Sequence, residues 1–480
     1  MNKSKKIAIS AIEKNSKTFL EVSDKIWEYA ELSLMEYKSA ALYCDVLREL
    51  GFEVEEKVCG IDTAFLGKFG SGRPYIGILG EFDALSGLSQ EGGALEKKSL
   101  SFGGNGHGCG HNLLGAGALA AAYGVKEYLR ETNTQGTVFF FGTPGEEGGA
   151  GKAFMAKEGA WRDLDAALTW HPDDVNQVVT GTCNSCIQLL YKYRGVSAHA
   201  AGDPENGRSA LDAVELMNVG VQYLREHMKR EARIHYSIID GGGMSPNVVQ
   251  PTASVLYMVR SPKVSDALEL CARVDKIAEG AALMTETSFE KVFVDGCSGT
   301  VPNHTLEKLC YKNFEEIGVE KYTSEELEYA SALKKTFAKP DCLPTIAAYA
   351  DENAKAVVAE LSDNGEKPMN DFLAPLYTGE FFMAGSTDVG DVSWQTPTVQ
   401  INTASFVSGS PGHSWQNVSC GKTSIAHKSV ISAGKVLAAS AIDLFENGEI
   451  LAEAKREFEI ATKSGYVCPI PAEEHAKVVF

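Results

Sequence analysis

Apolar positions recur at helical spacing through the first fifty residues. Ile26, Trp27, Tyr29 and Leu32 form one apolar face, and Leu42, Val46, Leu47 and Leu50 form another, so residues 16–51 read as two helices. Gly51 is a suitable helix stop. Short apolar runs follow at 75–80, 137–141 and 166–170, each of strand length. Residues 113–128 are rich in Ala and Leu and predict a helix between the first two runs. This alternation continues to about Asn184 and predicts a layered α/β domain.

The pattern changes after Asn184. Ile187, Leu189, Tyr191 and Tyr193 alternate as in a half-buried strand. Residues 209–228 and 264–283 have helical periodicity. Residues 234–239 and 253–259 read as strands on either side of Gly241-Gly242-Gly243, and 289–294 as a last strand. The order β-α-β-β-α-β is that of a ferredoxin-like α+β unit. The expected organisation is a catalytic domain with a central sheet, residues 1–184 and 297–480, interrupted by this unit at 185–296. Residues 315–371 are charged, read as mostly helical, and look like an insertion that forms either a partner surface or a solvated decoration. No repeat or low-complexity tract is evident.

Each of the three predicted strands of the first part leads into residues suited to chemistry. The run 75–80 ends in Glu81-Phe82-Asp83. The glycine-rich stretch Gly106-His107-Gly108-Cys109-Gly110-His111-Asn112 places Cys109 and His111 just before the predicted helix, where glycines let the backbone aim both side chains at one point. Pro144-Gly145-Glu146-Glu147-Gly148-Gly149 sets two acids side by side, an arrangement that is costly unless a cation neutralises them. The strand at 166–170 ends at His171-Pro172, and His413 follows the apolar run 397–401 in another glycine-rich loop. In open α/β sheets, sites gather at the carboxyl ends of strands. Thiolate, imidazole and carboxylate together suit zinc-like divalent ions. A phosphate-binding loop ending at Gly151-Lys152 does not fit: Glu146 stands where a glycine is required, Ala153 replaces Ser or Thr, and the carboxylates would repel phosphate.

These motifs resemble the dinuclear-metal amidohydrolases and peptidases that include aminoacylases, hippurate hydrolases and indole-acetyl-amino-acid hydrolases. The resemblance covers nearly the whole chain. It rests on Gly80–Asp83, Gly106–Asn112, Pro144–Gly149, Trp170–Pro172, Gly195–Ala200, Pro246–Val249, Gly385–Ser393 and Pro411–Ser414. It implies Cys109, His111, Glu147, His171 and His413 as ligands of two divalent ions per subunit, manganese favoured and zinc possible. It implies Glu146 as general base, His199 as a catalytic histidine from the lid domain, and Asn247 and Arg260 as contacts to a substrate carboxylate. Asp83 matches an acid that supports the ligands from behind. Many peptidases of the wider clan have His where Glu81 stands, a departure that fits the subgroup in which Cys109 supplies the missing ligand.

The implied reaction is hydrolysis of the amide bond of an N-acyl or N-aroyl amino acid, p-aminobenzoyl-glutamate foremost, to p-aminobenzoate and glutamate. Other acyl amino acids, dipeptides, and a companion subunit or metal-binding protein with little activity are the alternatives. A homodimer or a hetero-oligomer with a related subunit is expected. Composition narrows the partners further. The 480 residues are 44% hydrophobic and 23% charged, with 45 basic against 64 acidic side chains and a formal net charge of -19. Such a chain repels nucleic acid and anionic membranes in general. The 11 cysteines are odd in number and scattered, Cys183-x-x-Cys186 reads as structural, and Lys residues near Met1 precede no apolar segment, so a reducing cytoplasmic setting is expected.

Overall fold

The computed structural model describes residues 1–340, 342–344, 346 and 351–479. Its strands are β1 (Glu53–Glu56), β2 (Phe65–Ser71), β3 (Tyr75–Gly80), β4 (Gly136–Gly142), β5 (Ala166–Asp173), β6 (Gln177–Val178) and β7 (Thr182–Cys183). They continue with β8 (Ser185–Arg194), β9 (Arg233–Asp240), β10 (Thr252–Ser261), β11 (Ser288–Cys297), β12 (Phe382–Met383) and β13 (Thr398–Ala404). The chain divides into two compact units. The first comprises 1–182, 301–382 and 392–466; the second comprises 183–300, 383–391 and the segment from Val467.

The first unit is built on a seven-stranded sheet of order β1-β2-β4-β3-β5-β13-β6. Its centre, β4-β3-β5-β13, is parallel. Parallel strands carry helices on both faces and read as continuous apolar runs, which is why 75–80, 137–141 and 166–170 were visible as strands. Ile76, Ile78, Phe140, Leu168 and Ile401 are fully buried there. The helices His111–Thr132 and Ser424–Glu446 pack on each other and against the sheet at positions where small residues permit close approach. A Cβ on Gly117 would lie 2.7 Å from the Trp170 ring, and one on Gly434 2.9 Å from Ala120 Cβ.

The second unit is a four-stranded antiparallel sheet of order β11-β8-β10-β9, packed against the helices Ala210–Arg225 and Val264–Thr285. The expected β-α-β-β-α-β order is present. Tyrosines tie sheet to helices, satisfying their buried hydroxyls: Tyr191 donates to Asp275 at 2.7 Å, Tyr193 to the Ala278 carbonyl at 3.0 Å, and Tyr257 to Asn218 at 2.5 Å.

Both expected N-terminal helices are present as Ser16–Tyr29 and Tyr37–Glu49. A further helix, Lys3–Lys14, precedes them, capped by the Asn2 side chain on Lys5 N. The segment 315–371 is less helical than expected. Ser324–Lys334 is a helix with a Thr323/Glu326 capping box, and Glu352–Leu361 is another, but much of the remainder is irregular. Pro340 and Pro344 cannot continue a helix, and Asp363, Asn364 and Gly365 all have positive φ. Residues 341, 345 and 347–350 of that segment lie outside the described residues. No helix among the described residues is long and apolar enough to cross a membrane.

Candidate metal centre

The parallel centre of the sheet brings the predicted ligands to one edge. Glu81 and Asp83 follow β3, Glu146 and Glu147 follow β4, His171 lies near the end of β5, and His413 is in the loop after β13. His111 is the first residue of its helix rather than a loop residue. Gly110 precedes it at φ 84°, where a Cβ would lie 2.8 Å from the Phe406 ring and 3.1 Å from Pro172. Only glycine allows that turn and that approach, and the approach carries Cys109 and His111 to His171. Gly108 lies against the His413 backbone, and its carbonyl accepts from Asn417 Nδ2 at 3.1 Å. His413 itself has φ 51°, unusual for a residue with a side chain.

Among the described residues, three groups of donor atoms lie within 4.8 Å of one another: Cys109/His111/His171, Cys109/Glu147/His413 and Glu81/His111/Glu146. Cys109 and His111 each belong to two groups, so the donors form one continuous cluster. Cys109 Sγ is 3.4 Å from His171 Nε2, His111 Nε2 is 4.0 Å from Glu147 Oε1, and His413 Nε2 is 3.6 Å from Glu147 Oε2. All five predicted ligand positions and Glu146 are thus together.

The rings are preset. His171 Nδ1 is 2.7 Å from the Pro172 carbonyl, which can only accept, so Nδ1 carries the proton and Nε2 offers a lone pair. His111 Nδ1 is 2.8 Å from Asp83 Oδ1, so it too carries a proton and Nε2 is the ring atom turned to the cluster. Asp83 also accepts from Glu147 N at 2.9 Å and from Ser33 Oγ at 2.7 Å. Burial raises the Asp83 carboxyl, but the hydrogen bond and charge of His111 outweigh it and hold the pKa at about 2.

His111 Nε2, Glu147 Oε1 and Glu81 Oε2 are buried and have no hydrogen-bond partner. Buried polar atoms left without partners are costly; a cation among them removes that cost. Burial pushes the Cys109 thiol up, so its thiolate form needs a cation too. The donor set therefore fits divalent metal.

The sequence reading left out several residues that shape this cluster. Glu36 is fully buried and accepts from Gly145 N at 2.8 Å and Thr63 Oγ1 at 2.9 Å, fixing the loop that carries Glu146 and Glu147. Lys152 is fully buried with its ammonium 2.7 Å from Glu81 Oε1. The adjacency of Gly151-Lys152 to the acidic loop was the available signal for Lys152; nothing local marked Glu36.

The remaining predicted residues belong to the second unit. His199 is exposed, and its Nδ1 accepts from Ala201 N at 3.2 Å and Gly202 N at 3.0 Å. Its proton is therefore on Nε2, which is left as a donor. Asn247 is beside it: the Asn247 carbonyl accepts from Ala200 N at 3.0 Å, and His199 bridges to Val248. Arg260 is not beside Asn247. It pairs with Cys186 at the far end of β10, whereas the His199 loop leaves β8 beyond Arg194, which pairs with Thr252. Eight residues of strand separate those ends, roughly 26 Å at about 3.3 Å per residue. Arg260 instead donates from Nη1 to Ser386 Oγ at 2.7 Å.

A model of peptidase family M20/M25/M40 matches residues 78–376. A subunit of the p-aminobenzoyl-glutamate hydrolase of Escherichia coli K12 is 44% identical over 465 residues, 96% of each chain. The human Xaa-Arg dipeptidase is 30% identical over 250 residues, 51% of this chain and 53% of that one. Among solved structures, a dinuclear metal-binding peptidase of the M20 family from Bacillus subtilis superimposes with a TM-score of 0.53 at 16% identity, covering 90% of this chain and 99% of that one. At that identity the likeness speaks for the fold.

Proposed function

The chain belongs to peptidase family M20/M25/M40, and on that premise we propose that it is a metal-dependent amidohydrolase of N-aroyl and N-acyl amino acids. p-Aminobenzoyl-glutamate is the foremost substrate, cleaved to p-aminobenzoate and glutamate. The observation that carries the reading is the convergence of Cys109, His111, Glu147, His171 and His413 with buried donor atoms that lack partners. The substrate follows the Escherichia coli relative, which matches along nearly its whole length.

Those five residues would hold two divalent ions per subunit, as the Bacillus subtilis peptidase is described as dinuclear. A set mixing thiolate, imidazole and carboxylate accepts manganese or zinc, and manganese is favoured for its tolerance of carboxylates. Bound metal supplies a water of lowered pKa and polarises the scissile carbonyl. Glu146 accepts that water's proton and returns it to the departing amine nitrogen. His199, with its proton on Nε2, donates to the oxyanion of the tetrahedral intermediate. Asn247 and Arg260 bind the free carboxylate of the amino-acid half, with Arg260 suited to two parallel hydrogen bonds.

Asn247 and Arg260 stand apart within one chain, so their joint action on one carboxylate calls for a second chain at the site. The edge strand β9 exposes Tyr236, Ile238 and Ile239, and the helix Ala210–Arg225 exposes Leu216, Val219 and Tyr223, a surface suited to such association. The second chain is another copy or a related subunit, since the Escherichia coli relative is by name one subunit of its hydrolase. All eleven cysteines are free thiols, consistent with a reducing cytoplasmic setting.

The test is a panel of N-aroyl and N-acyl amino acids and dipeptides offered to chelator-treated protein with manganese, zinc or cobalt restored. Metal-dependent release of p-aminobenzoate is expected. Absence of metal-dependent release from every substrate would overturn the reading. A preference for dipeptides ending in a basic residue would favour the activity named for the human relative instead.

A further inference from the structure

A fully buried lysine needs a compensating charge. The ammonium of Lys152 lies 2.7 Å from Glu81 Oε1, at the carboxyl end of β3. Glu81 is itself 2% exposed. One of its oxygens is thus committed to Lys152, and the carboxylate cannot swing. The other oxygen, Oε2, has no hydrogen-bond partner and stands 3.3 Å from His111 Nε2, which has none either. The Nδ1 of that ring is taken by Asp83, so Nε2 is the ring atom that faces Oε2. Two buried polar atoms without hydrogen-bond partners are costly, and a metal ion held there would satisfy both. Glu146 completes the group, with all three donor atoms within 4.8 Å of one another. None of the five expected ligand positions accounts for this third group's two carboxylates.

We propose that Glu81, oriented by the ammonium of Lys152, is a further metal-binding residue of the centre. It offers one carboxylate oxygen on the side of His111 that faces Glu146, and Lys152 is its positioning residue. The inference rests on the metal-dependent reading above and deepens it. A purely structural role makes a different demand: a buried ion pair can usually be exchanged for a neutral pair of similar volume without loss. Because the pair is internally neutral, exchanging both members leaves the charge of the centre unchanged. Any loss of metal affinity is then the loss of a donor.

The experiment titrates manganese into chelator-treated full-length protein and follows bound metal by elemental analysis after dialysis. The absorption spectrum of the cobalt-substituted protein is recorded in parallel. Wild type is compared with Glu81→Gln, Lys152→Met and the double variant. Glu81→Gln keeps an amide oxygen for Lys152 and is expected to fold. It should weaken binding of one ion by about 10- to 100-fold and alter the cobalt spectrum. Lys152→Met should shift the cobalt spectrum as well, because Glu81 is no longer held. The double variant should recover the melting temperature of the metal-free protein without recovering metal affinity. Wild-type affinity, stoichiometry and cobalt spectrum in Glu81→Gln and in the double variant would overturn the inference while leaving the metal-dependent activity standing. Failure of wild type to bind metal at all would overturn both.

Discussion

Exchanging Glu36 for glutamine separates its role as a hydrogen-bond acceptor from its role as a charge. Its carboxyl is fully buried between Gly145 N and Thr63 Oγ1. Burial first, and then the nearby charge of Asp83, raise its pKa from 4.5 to about 8. A carboxyl raised on folding binds its proton more tightly in the folded chain. Its contribution to stability is therefore complete below pH 4.5, declines above it, and is lost as pH passes about 8. The decline runs at about 1.4 kcal/mol per pH unit over the roughly 3.5 units between the two values, so by pH 8 wild type should have lost about 4 kcal/mol that a glutamine cannot lose. Glutamine offers its oxygen to Gly145 N and its amide to the Thr63 hydroxyl, so Glu36→Gln keeps both contacts. Alanine keeps neither, and leaves two buried donors unmet at about 1–3 kcal/mol each. The assay is thermal unfolding of chelated protein between pH 5 and 9. Wild type should fall behind Glu36→Gln as pH rises, and level off relative to it near pH 8. Turnover of the metal-loaded Gln variant should stay close to wild type, while Glu36→Ala, with the Glu146–Glu147 loop released, falls about tenfold or more. Parallel stability curves for wild type and Glu36→Gln would refute the assigned protonation. Equal turnover in the Gln and Ala variants would refute the positioning of the loop.

Three further outcomes follow from the centre. Glu146→Ala should keep its metal and lose roughly two to four orders of magnitude in turnover; loss of metal with it would exchange or merge the roles of Glu146 and Glu147. Cys109→Ala should lower metal occupancy, and in wild type a thiol reagent should label Cys109 faster in the metal-free than the metal-loaded protein; equal labelling rates would argue against ligation. His199→Ala should leave folding and metal content intact and lower the rate by roughly two to three orders of magnitude. Mixing it with Glu146→Ala under subunit exchange should restore part of the activity, because each mixed pair then holds one site with both residues intact. No recovery despite demonstrated exchange would confine His199 to its own chain.

Much of the architecture was legible because its signals are local. Parallel strands buried on both faces write themselves as apolar runs, and β3, β4 and β5 stood out for that reason. The alternation of Ile187, Leu189, Tyr191 and Tyr193 and the order of elements after it carried the four-stranded antiparallel unit. The candidate donors were legible too, since Cys109, His111, Glu146, Glu147 and His171 sit where strands end and helices begin. The segment 315–371 misled because charged residues with good helix propensity are interrupted there by prolines and by residues at positive φ, and propensity summed over a stretch does not register such breaks.

The sequence alone determined the donor types, the strand ends that deliver them and the family to which the chain belongs. Tertiary structure decided how those donors are held. The Glu36 carboxyl meets Gly145 N across 109 residues of chain, Lys152 is buried against Glu81 rather than exposed beside a phosphate, and the Nδ1 proton of His111 is placed by Asp83, 28 residues away. It also decided that Asn247 stands beside His199 while Arg260 stands at the other end of the strand. The physical reason is common to all of these. Hydrophobic periodicity and turn chemistry act over a few residues, whereas burial, protonation and charge pairing depend on which distant segments the packed sheet brings into contact.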